Sequence, residues 1–549
     1  MSTHLRSSIM LPLCQFSHCF LVASLRSCMP MLTALLVFAL SSPFLAADEV
    51  APKQQDRPAS GRNAARPNVL FIAVDDMKDW VQCLGGYGGT VHTPHIDRLA
   101  KRGMLFANAH CPSPKCAPSR SAIMTGLRPS VTGLYDNGHW WYPNLPEVVT
   151  IPAHFRNHGY HVCGAGKIFH HTGGNHPPNQ WHDFLRLTFR NDPWFRGVKL
   201  NYPWSEHSAY PQGFPFSGVA ELGHENDWGS LRITEAEYDD VLSADYAIRF
   251  LKDRARDSGT AEHRPFFLAC GLFRPHLPWY VPGKYFDMYP LDEIVLPEVP
   301  SDDLDDIPKE GLEFAKSRRS DLEKIQAAGK WRHAIRAYLA SITFADTQVG
   351  RVLDALDASG HAENTIVVLW SDHGWHLGEK QHWHKTTLWE ESTRVPFIIS
   401  APGYPVGTCR QPVSLIDLYP TLNALAELPM LESHSGSSLK PLLNNPAANW
   451  ERPAVIEYKR GNAAVRSQRY RYIRYYNGGE ELYDHQKDSH EWNNVADDPS
   501  YAAAKRSLAA WMPQRWAKPA LTKKEFRFDP DKFIWTRKSN GKTTDGLKP

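Results

Sequence analysis

The sequence predicts a large α/β fold, with a mixed, mostly parallel sheet flanked by helices and a smaller C-terminal α/β subdomain built on an antiparallel sheet. Three observations carry that reading. Asn68 to Val74 (NVLFIAV) and Thr365 to Trp370 (TIVVLW) are continuous apolar runs, the pattern of strands buried on both faces. Each run stops at polar and charged residues, Asp75-Asp76 in one case and Ser371-Asp372-His373-Gly374 in the other. Two central strands thus deliver ionisable side chains at the edge where open α/β sheets hold ligands. Between them, Ala337 to Leu356 carries apolar residues at three- and four-residue spacing before Gly360, which predicts an amphipathic helix laid over the sheet. Pro94 to Ala100 predicts a further helix start.

A chain of 549 residues exceeds what one hydrophobic core usually serves, so a large domain with a smaller appendage is expected. The large domain is placed at residues 67–443. Asn444-Asn445-Pro446 is a turn-like break, and the apolar runs after it, Ala454 to Tyr458 and Tyr470 to Tyr476, are short and aromatic. They place the antiparallel sheet within residues 444–549. The basic tail from Lys518 to Pro549 has two readings, packing over the main domain or partial disorder. Asn175 to Trp228 is rich in Pro, Trp, His and Asn without periodicity and is expected to be a long loop region.

The N-terminus reads as an export signal. Arg26 precedes an apolar stretch, Met31 to Leu40, which ends in small residues up to Ala46-Ala47. Residues 1–47 are therefore expected to be a signal peptide and 48–66 a linker, with a retained anchor as the alternative; the run is short for a membrane span. Periplasmic or extracellular residence follows, or a lysosome-like compartment in a eukaryote. Three of the nine cysteines fall in this segment, and the spacing of the rest shows no zinc pattern and no dense disulfide framework. A formal net charge of +2 gives no long-range pull toward polyanions, so nucleic acid is not the default partner.

The most specific local pattern is Cys116-Ala117-Pro118-Ser119-Arg120-Ser121-Ala122-Ile123-Met124-Thr125-Gly126. Pro118 and Ser119 favour a helix start, so residue 116 is expected just ahead of a helix N-terminus, where free N–H groups and the macrodipole stabilise anions. Arg120, one turn on, offers an always-charged fork for an oxyanion or alkoxide. Asp75, Asp76, Asp372 and His373 bring hard carboxylate oxygens and an imidazole to two strand ends, a set that suits calcium or magnesium.

The C-x-P-S-R-x-x-x-x-T-G pattern resembles the signature of type I sulfatases of the alkaline phosphatase superfamily. From about Pro67 to Asp498 the chain is most similar to their iduronate 2-sulfatase branch. The likeness includes Thr93 to Ala100, Gly166-Lys167-Ile168-Phe169-His170, Arg274-Pro275-His276-Leu277-Pro278, Asp372 to Glu379 and Glu481-Leu482-Tyr483-Asp484. His373, where many sulfatases carry Asn or Gln, favours that branch.

The resemblance implies an alkaline-phosphatase-like fold and hydrolysis of a sulfate monoester on a sulfated carbohydrate. It implies one calcium ion held by Asp75, Asp76, residue 116, Asp372 and His373. It also implies that a formylglycine-generating enzyme converts Cys116 to formylglycine during maturation. The metal and Arg120 would then ionise one hydroxyl of the hydrated residue for in-line attack on sulfur. Lys167 and Lys385 would neutralise sulfate oxygens, His276 would protonate the leaving oxygen, and His170 would deprotonate the second hydroxyl to release sulfate.

Each assignment has a structural rival: a surface ion pair for Lys167, a core position for His170, simple exposure for Lys385. The G-K-x-x-H spacing also departs by one residue from the G-K-x-H of many sulfatases. Trp375, His376, His384, Asn137, His139, Trp140 and Trp141 are specificity candidates, with plain packing as the equal alternative. Two other functions stay open: a phosphonate or phosphate monoester hydrolase of the same superfamily, and a non-catalytic binder of sulfated glycans.

Overall fold

A computed structural model describes residues 66–187, 215–223, 226–231, 233–256 and 264–548. The expected signal peptide and all but the last residue of the expected linker lie outside these residues, as does the centre of the 175–228 stretch.

Eight strands form the main sheet: β1 (Asn68–Val74), β2 (Met104–Phe106), β3 (His161–Gly166), β4 (Asp183–Leu185), β5 (Phe266–Leu272), β6 (Thr365–Ser371), β7 (Phe397–Ser400) and β8 (Gly407–Cys409). Their order is β8-β2-β7-β6-β1-β5-β3-β4, and β7 alone among the eight runs against the others. Strand β4 corrects the sequence reading of 175–228 as loop. Three residues are too few to display a period, so an edge strand of that length leaves no pattern to find.

Alternation along β1 explains its unbroken apolarity. Val69, Phe71 and Ala73 enter one hydrophobic core, and Leu70, Ile72 and Val74 enter another on the opposite face. Both faces exclude water, so every position is apolar. Of the helices, α1 (Pro94–Ala100), α3 (Asp239–Arg256) and α4 (Trp331–Ala358) add buried residues to the second core, whereas α2 (Cys116–Thr125) adds Ile123 and Met124 to the first. Helix α4 begins before the predicted Ala337, because Arg332 and His333 in its first turn hide the onset of periodicity.

The strand register sets up everything that follows. Val74 pairs with Ser371 on one side and Leu272 on the other, and Gly166 pairs with Gly271. The strands therefore end level, and Asp75, Asp372 and Lys167 leave the sheet at one edge. Gly166 has φ +76, and a Cβ there would meet the Gly271 carbonyl oxygen and Ser243 Oγ, so only glycine lets β3 lie against β5 just before Lys167.

Beyond the main sheet, β9 (Ala454–Glu457), β10 (Ala463–Arg466), β11 (Tyr470–Arg474) and β12 (Glu480–Asp484) form an antiparallel meander. The tail takes the first of its two readings. It forms a sheet of β13 (Phe526–Asp529), β14 (Ile534–Arg537) and β15 (Thr543–Asp545), and Trp535, fully buried, packs on Trp140 and Tyr142. No helix among the described residues is long and apolar enough to cross a membrane.

Candidate active site

At the C-terminal edge of the sheet, Asp75, Asp76, Cys116, Asp372 and His373 bring five potential ligand atoms within 4.8 Å of one another, all buried. Asp76 sits in the left-handed region at φ 58, a strained conformation for a residue with a Cβ. Its N–H donates to Asp372 Oδ1 at 3.1 Å, and its carbonyl accepts the Tyr338 hydroxyl at 2.7 Å, which together hold that turn.

Cys116 is the first residue of α2, with Lys115 as N-cap, rather than lying ahead of the helix as the sequence suggested. Pro118 is compatible with this start because it falls in the first turn, where N–H groups have no helical partner. One of those N–H groups, on Ala117, donates to Asn137 Oδ1 at 2.9 Å, so Asn137 caps the helix that carries the cysteine. The Ser119 hydroxyl ties the same turn to the Asp372 carbonyl at 2.6 Å.

Arg120 spends its fork on neighbours already in the protein. Nε donates to Asp372 Oδ2 at 2.8 Å, one Nη to Asp75 Oδ1 at 3.1 Å, and the other to the carbonyls of Lys167 and Ile168. Its contribution to the site therefore runs through the two carboxylates it aligns. Lys167 pairs with the other oxygen of Asp75. Burial opposes ionisation of Asp75, yet Lys167 and Arg120 outweigh it and hold the carboxyl well below the usual range.

Asp76 is the opposite case. Burial pushes its carboxyl up to about 8 despite Lys385, whose Nζ lies 2.6 Å from Oδ1, and Oδ2 is buried without a hydrogen-bond partner. An orphaned carboxylate oxygen beside a second carboxylate is costly without a cation. His373 completes the set. Its Nδ1 lies 3.1 Å from the Gly374 carbonyl, which can only accept, so Nδ1 carries the proton and Nε2 turns a lone pair toward Asp76 Oδ1 and Cys116 Sγ, each at 3.3 Å. Carboxylate oxygens and one imidazole lone pair fit a hard divalent cation.

The sequence of residues 67–428 matches the Sulfatase family model, and residues 378–518 match that of the N-sulphoglucosamine sulphohydrolase C-terminal region. The chain belongs to the sulfatase family. It is 38% identical over 468 residues to a sulfatase of Formosa agariphila, covering 82% of this chain and 87% of that one. It is 30% identical to the choline-sulfatase of Rhizobium meliloti, over 82% and 86% of the two chains. With human iduronate 2-sulfatase it shares 33% identity over 61% of this chain and 60% of that one. The fold resembles that of a phosphonate monoester hydrolase from Silicibacter pomeroyi, at TM-score 0.66 and 23% identity, over 81% and 94% of the chains. The protein is thus a sulfuric ester hydrolase by family.

Beside Cys116, Lys385 Nζ stands 3.1 Å from Sγ. Burial raises the Cys116 thiol above its ordinary pKa, so the encoded side chain is a protonated thiol rather than a thiolate. His276, partly exposed, turns Nε2 to 3.8 Å from Asp76 Oδ2 while its Nδ1 donates to the Leu277 carbonyl. His170 lies further out, with Nδ1 3.0 Å from Thr172 Oγ1. Its neighbour His171 stands between it and His276, at ring-centroid distances of 4.4 Å and 6.3 Å.

The specificity candidates take up mostly internal contacts. His376 is buried and satisfied by the Glu379 carbonyl and Thr387 Oγ1, and Trp141 stacks on Phe169 with Nε1 donating to the Asn175 carbonyl. Trp140 donates to the Gly173 carbonyl and His139 accepts the Tyr135 N–H. His384 meets Asp321 at 3.2 Å, and Trp375 lies beneath Lys385, whose Nζ is 5.2 Å from its ring centroid. Sequence reasoning did not single out His171, Thr172, Asn175 or Lys523, which gather beside His170. A His-His doublet was the one local sign of the first; the others carry none. A second acidic cluster, Glu390, His485 and Glu491, is already paired with Arg466 and Arg471.

Proposed function

We propose that this sulfatase hydrolyses a sulfate monoester on a sulfated carbohydrate, a 2-O-sulfated uronate being the specific candidate. Cys116 works as formylglycine, and one calcium ion is held by Asp75, Asp76, Asp372 and His373 together with residue 116. The observation that carries the reading is the position of residue 116. It stands at a helix N-terminus, within 3.3 Å of a metal-competent imidazole nitrogen and 3.1 Å of a lysine. Similarity to mouse and human iduronate 2-sulfatases, at 30% and 33% identity, supports the uronate assignment.

When bound, the cation supplies the Lewis-acid charge that lowers the cost of ionising a hydroxyl at residue 116. The remaining work falls to the protein. Arg120 holds Asp75 and Asp372 in place without itself needing to move. Lys385, beside residue 116, meets the negative charge that builds on sulfate oxygens during in-line displacement, with Lys167 behind Asp75 adding to the same field. His276, at the open side, is placed to serve the departing sugar oxygen. Burial suppresses ionisation of the Cys116 thiol even though Lys167 and Lys385 favour the thiolate, and burial together with the same two lysines keeps the His276 imidazole neutral, so an unmodified Cys116 gives a weak nucleophile.

Maturation requires a formylglycine-generating enzyme, and export to the periplasm or extracellular space fits the N-terminal signal pattern. Mass spectrometry of the Cys116 peptide from exported protein should find the aldehyde or its hydrate. The matured protein should release sulfate from a 2-O-sulfated uronate disaccharide faster than it cleaves a phosphodiester or phosphonate ester. Preference for the phosphorus ester, or an intact thiol in the exported protein, would overturn the reading.

A further inference from the structure

Thr172 sits where three polar side chains converge on one hydroxyl. His170 Nδ1 lies 3.0 Å from Thr172 Oγ1, Asn175 Nδ2 lies 2.8 Å from it, and Lys523 Nζ lies 2.7 Å from it. A hydroxyl donates once and accepts twice, so the protons around it can be counted. Asn175 Nδ2 also stands 2.9 Å from the Thr172 carbonyl oxygen, which has no proton to give. That atom is therefore the amide nitrogen, and it donates to both oxygens of Thr172. The Lys523 ammonium can only donate. Two donors fill the two lone pairs of Oγ1, and the hydroxyl proton is left for the third neighbour, the Nδ1 of His170.

Lys523 belongs to the C-terminal tail, beyond the regions matched by either family model, and it is clamped in place on both sides. Its own N–H donates to the Gly138 carbonyl at 2.7 Å, Thr522 bridges to His139, and Leu521 exchanges hydrogen bonds with the side chain of Asn144 at 2.9 and 3.0 Å. The Nζ lies 5.8 Å from the Trp140 ring centroid, and no carboxylate among the described residues comes within ion-pairing distance of it. Such a cation keeps all its donors for neutral acceptors.

We propose that Lys523, acting through Thr172, is a positioning residue that holds His170 as the neutral tautomer with its proton on Nε2. The proposal rests on the reading of His170 as an active-site residue. In this tautomer the ring offers a proton to a sulfate or leaving-group oxygen. It accepts none unless the Thr172 contact breaks, because its lone pair is already spent, so it does not act as the base at the second hydroxyl of residue 116 that the family resemblance implies. A cationic His170 would place an Nδ1–H against an oxygen whose lone pairs are occupied, which disfavours that form. The direction of its pKa agrees: burial first, then His171, Lys167 and Lys523, hold it well below the ordinary histidine value. His171 is the adjacent imidazole, its ring 4.4 Å from that of His170.

The test is nitrogen-15 NMR of the full-length protein labelled at histidine, with the His170 signals assigned through a His170→Gln variant. At neutral pH, Nδ1 of His170 should show the pyridine-like shift and Nε2 the pyrrole-like shift. Lys523→Met and Thr172→Val should each lose that pattern, and Lys523→Arg, which keeps a cationic donor, should retain it. On a 2-O-sulfated uronate disaccharide, Lys523→Met should lower kcat on the order of tenfold with KM nearly unchanged, and Lys523→Arg should recover most of it. A pyrrole-like Nδ1 or an imidazolium in the unsubstituted protein overturns the proposal, as does an unchanged tautomer in Lys523→Met. The tautomer is read without substrate, so absence of activity on the disaccharide would count against the substrate assignment alone.

Discussion

Lys385 Nζ stands 3.1 Å from Cys116 Sγ, and it reaches that point while also touching Asp76 Oδ1 at 2.6 Å. The lysine joins the proposed nucleophile position to a carboxylate of the proposed metal site. Replacing it with Met keeps much of its packing against Trp375 but removes the charge. Lys385→Met should lower kcat/KM on the matured enzyme by about two to three orders of magnitude, comparable to loss of a transition-state donor. Steady-state kinetics on the sulfated disaccharide checks this, with circular dichroism showing an unchanged fold. A loss below about threefold would remove Lys385 from the charge-stabilising role.

Calcium should stabilise the protein through Asp76. Its Oδ2 is buried without a hydrogen-bond partner, and Asp75 lies next to it in the chain. A cation that binds the folded state at one hundred times its Kd adds about 2.7 kcal/mol. Thermal unfolding should shift upward on titrating calcium into protein stripped with a chelator, and Asp76→Ala should abolish most of that shift. An equal calcium response in the variant would exclude Asp76 as a ligand.

A pH effect away from the site should come from Asp346 in α4. This buried carboxylate accepts the N–H groups of His95 at 3.2 Å and Ile96 at 2.7 Å, yet burial pushes its pKa up to about 7 from the ordinary 3.8. Between those values the folded state holds a proton that the unfolded state has released, so stability falls as pH rises across that window and levels off above about 7. The shift corresponds to roughly 4 kcal/mol at most. Asp346→Asn removes the titration, so its stability relative to the unsubstituted protein should rise from pH 4 to pH 8 in chemical denaturation. A flat difference would show that Asp346 does not titrate in this range.

The tail should be part of the folded unit rather than an appendage. Trp535 is fully buried against Trp140, Tyr142 and Phe528. Trp535→Ala should cost about 3–5 kcal/mol. Because Trp140 also donates to the Gly173 carbonyl, near Thr172, activity should fall along with stability. Unchanged unfolding in denaturant would contradict the packing.

Legibility in the sequence followed the range over which each feature is encoded. Runs such as NVLFIAV and TIVVLW declare buried parallel strands because both faces of each strand must be apolar, whatever lies around them. The Cys116 to Gly126 pattern identifies the family from eleven contiguous residues. In contrast, strand β4 is three residues long and left no period, and the helix start at Cys116 turned on a cap supplied to the Ala117 N–H by Asn137, twenty residues further along the chain. Arg120 looked like a fork for a ligand, since its charge is visible in the sequence and its partners Asp75 and Asp372 at the ends of separate strands are not.

By itself, the sequence determined the reaction family, the two central strands and the residue types gathered at their ends, because each is written in a short segment whose chemistry is local. Only the tertiary structure decided which of those groups stand together and in what protonation state. Level strand ends brought Asp75, Asp76, Asp372 and Lys167 to one edge. Packing of the tail set Lys523 against Thr172 across 351 positions of chain. Such a contact is fixed by the shape of two packed surfaces, and no neighbouring residue in the sequence records it.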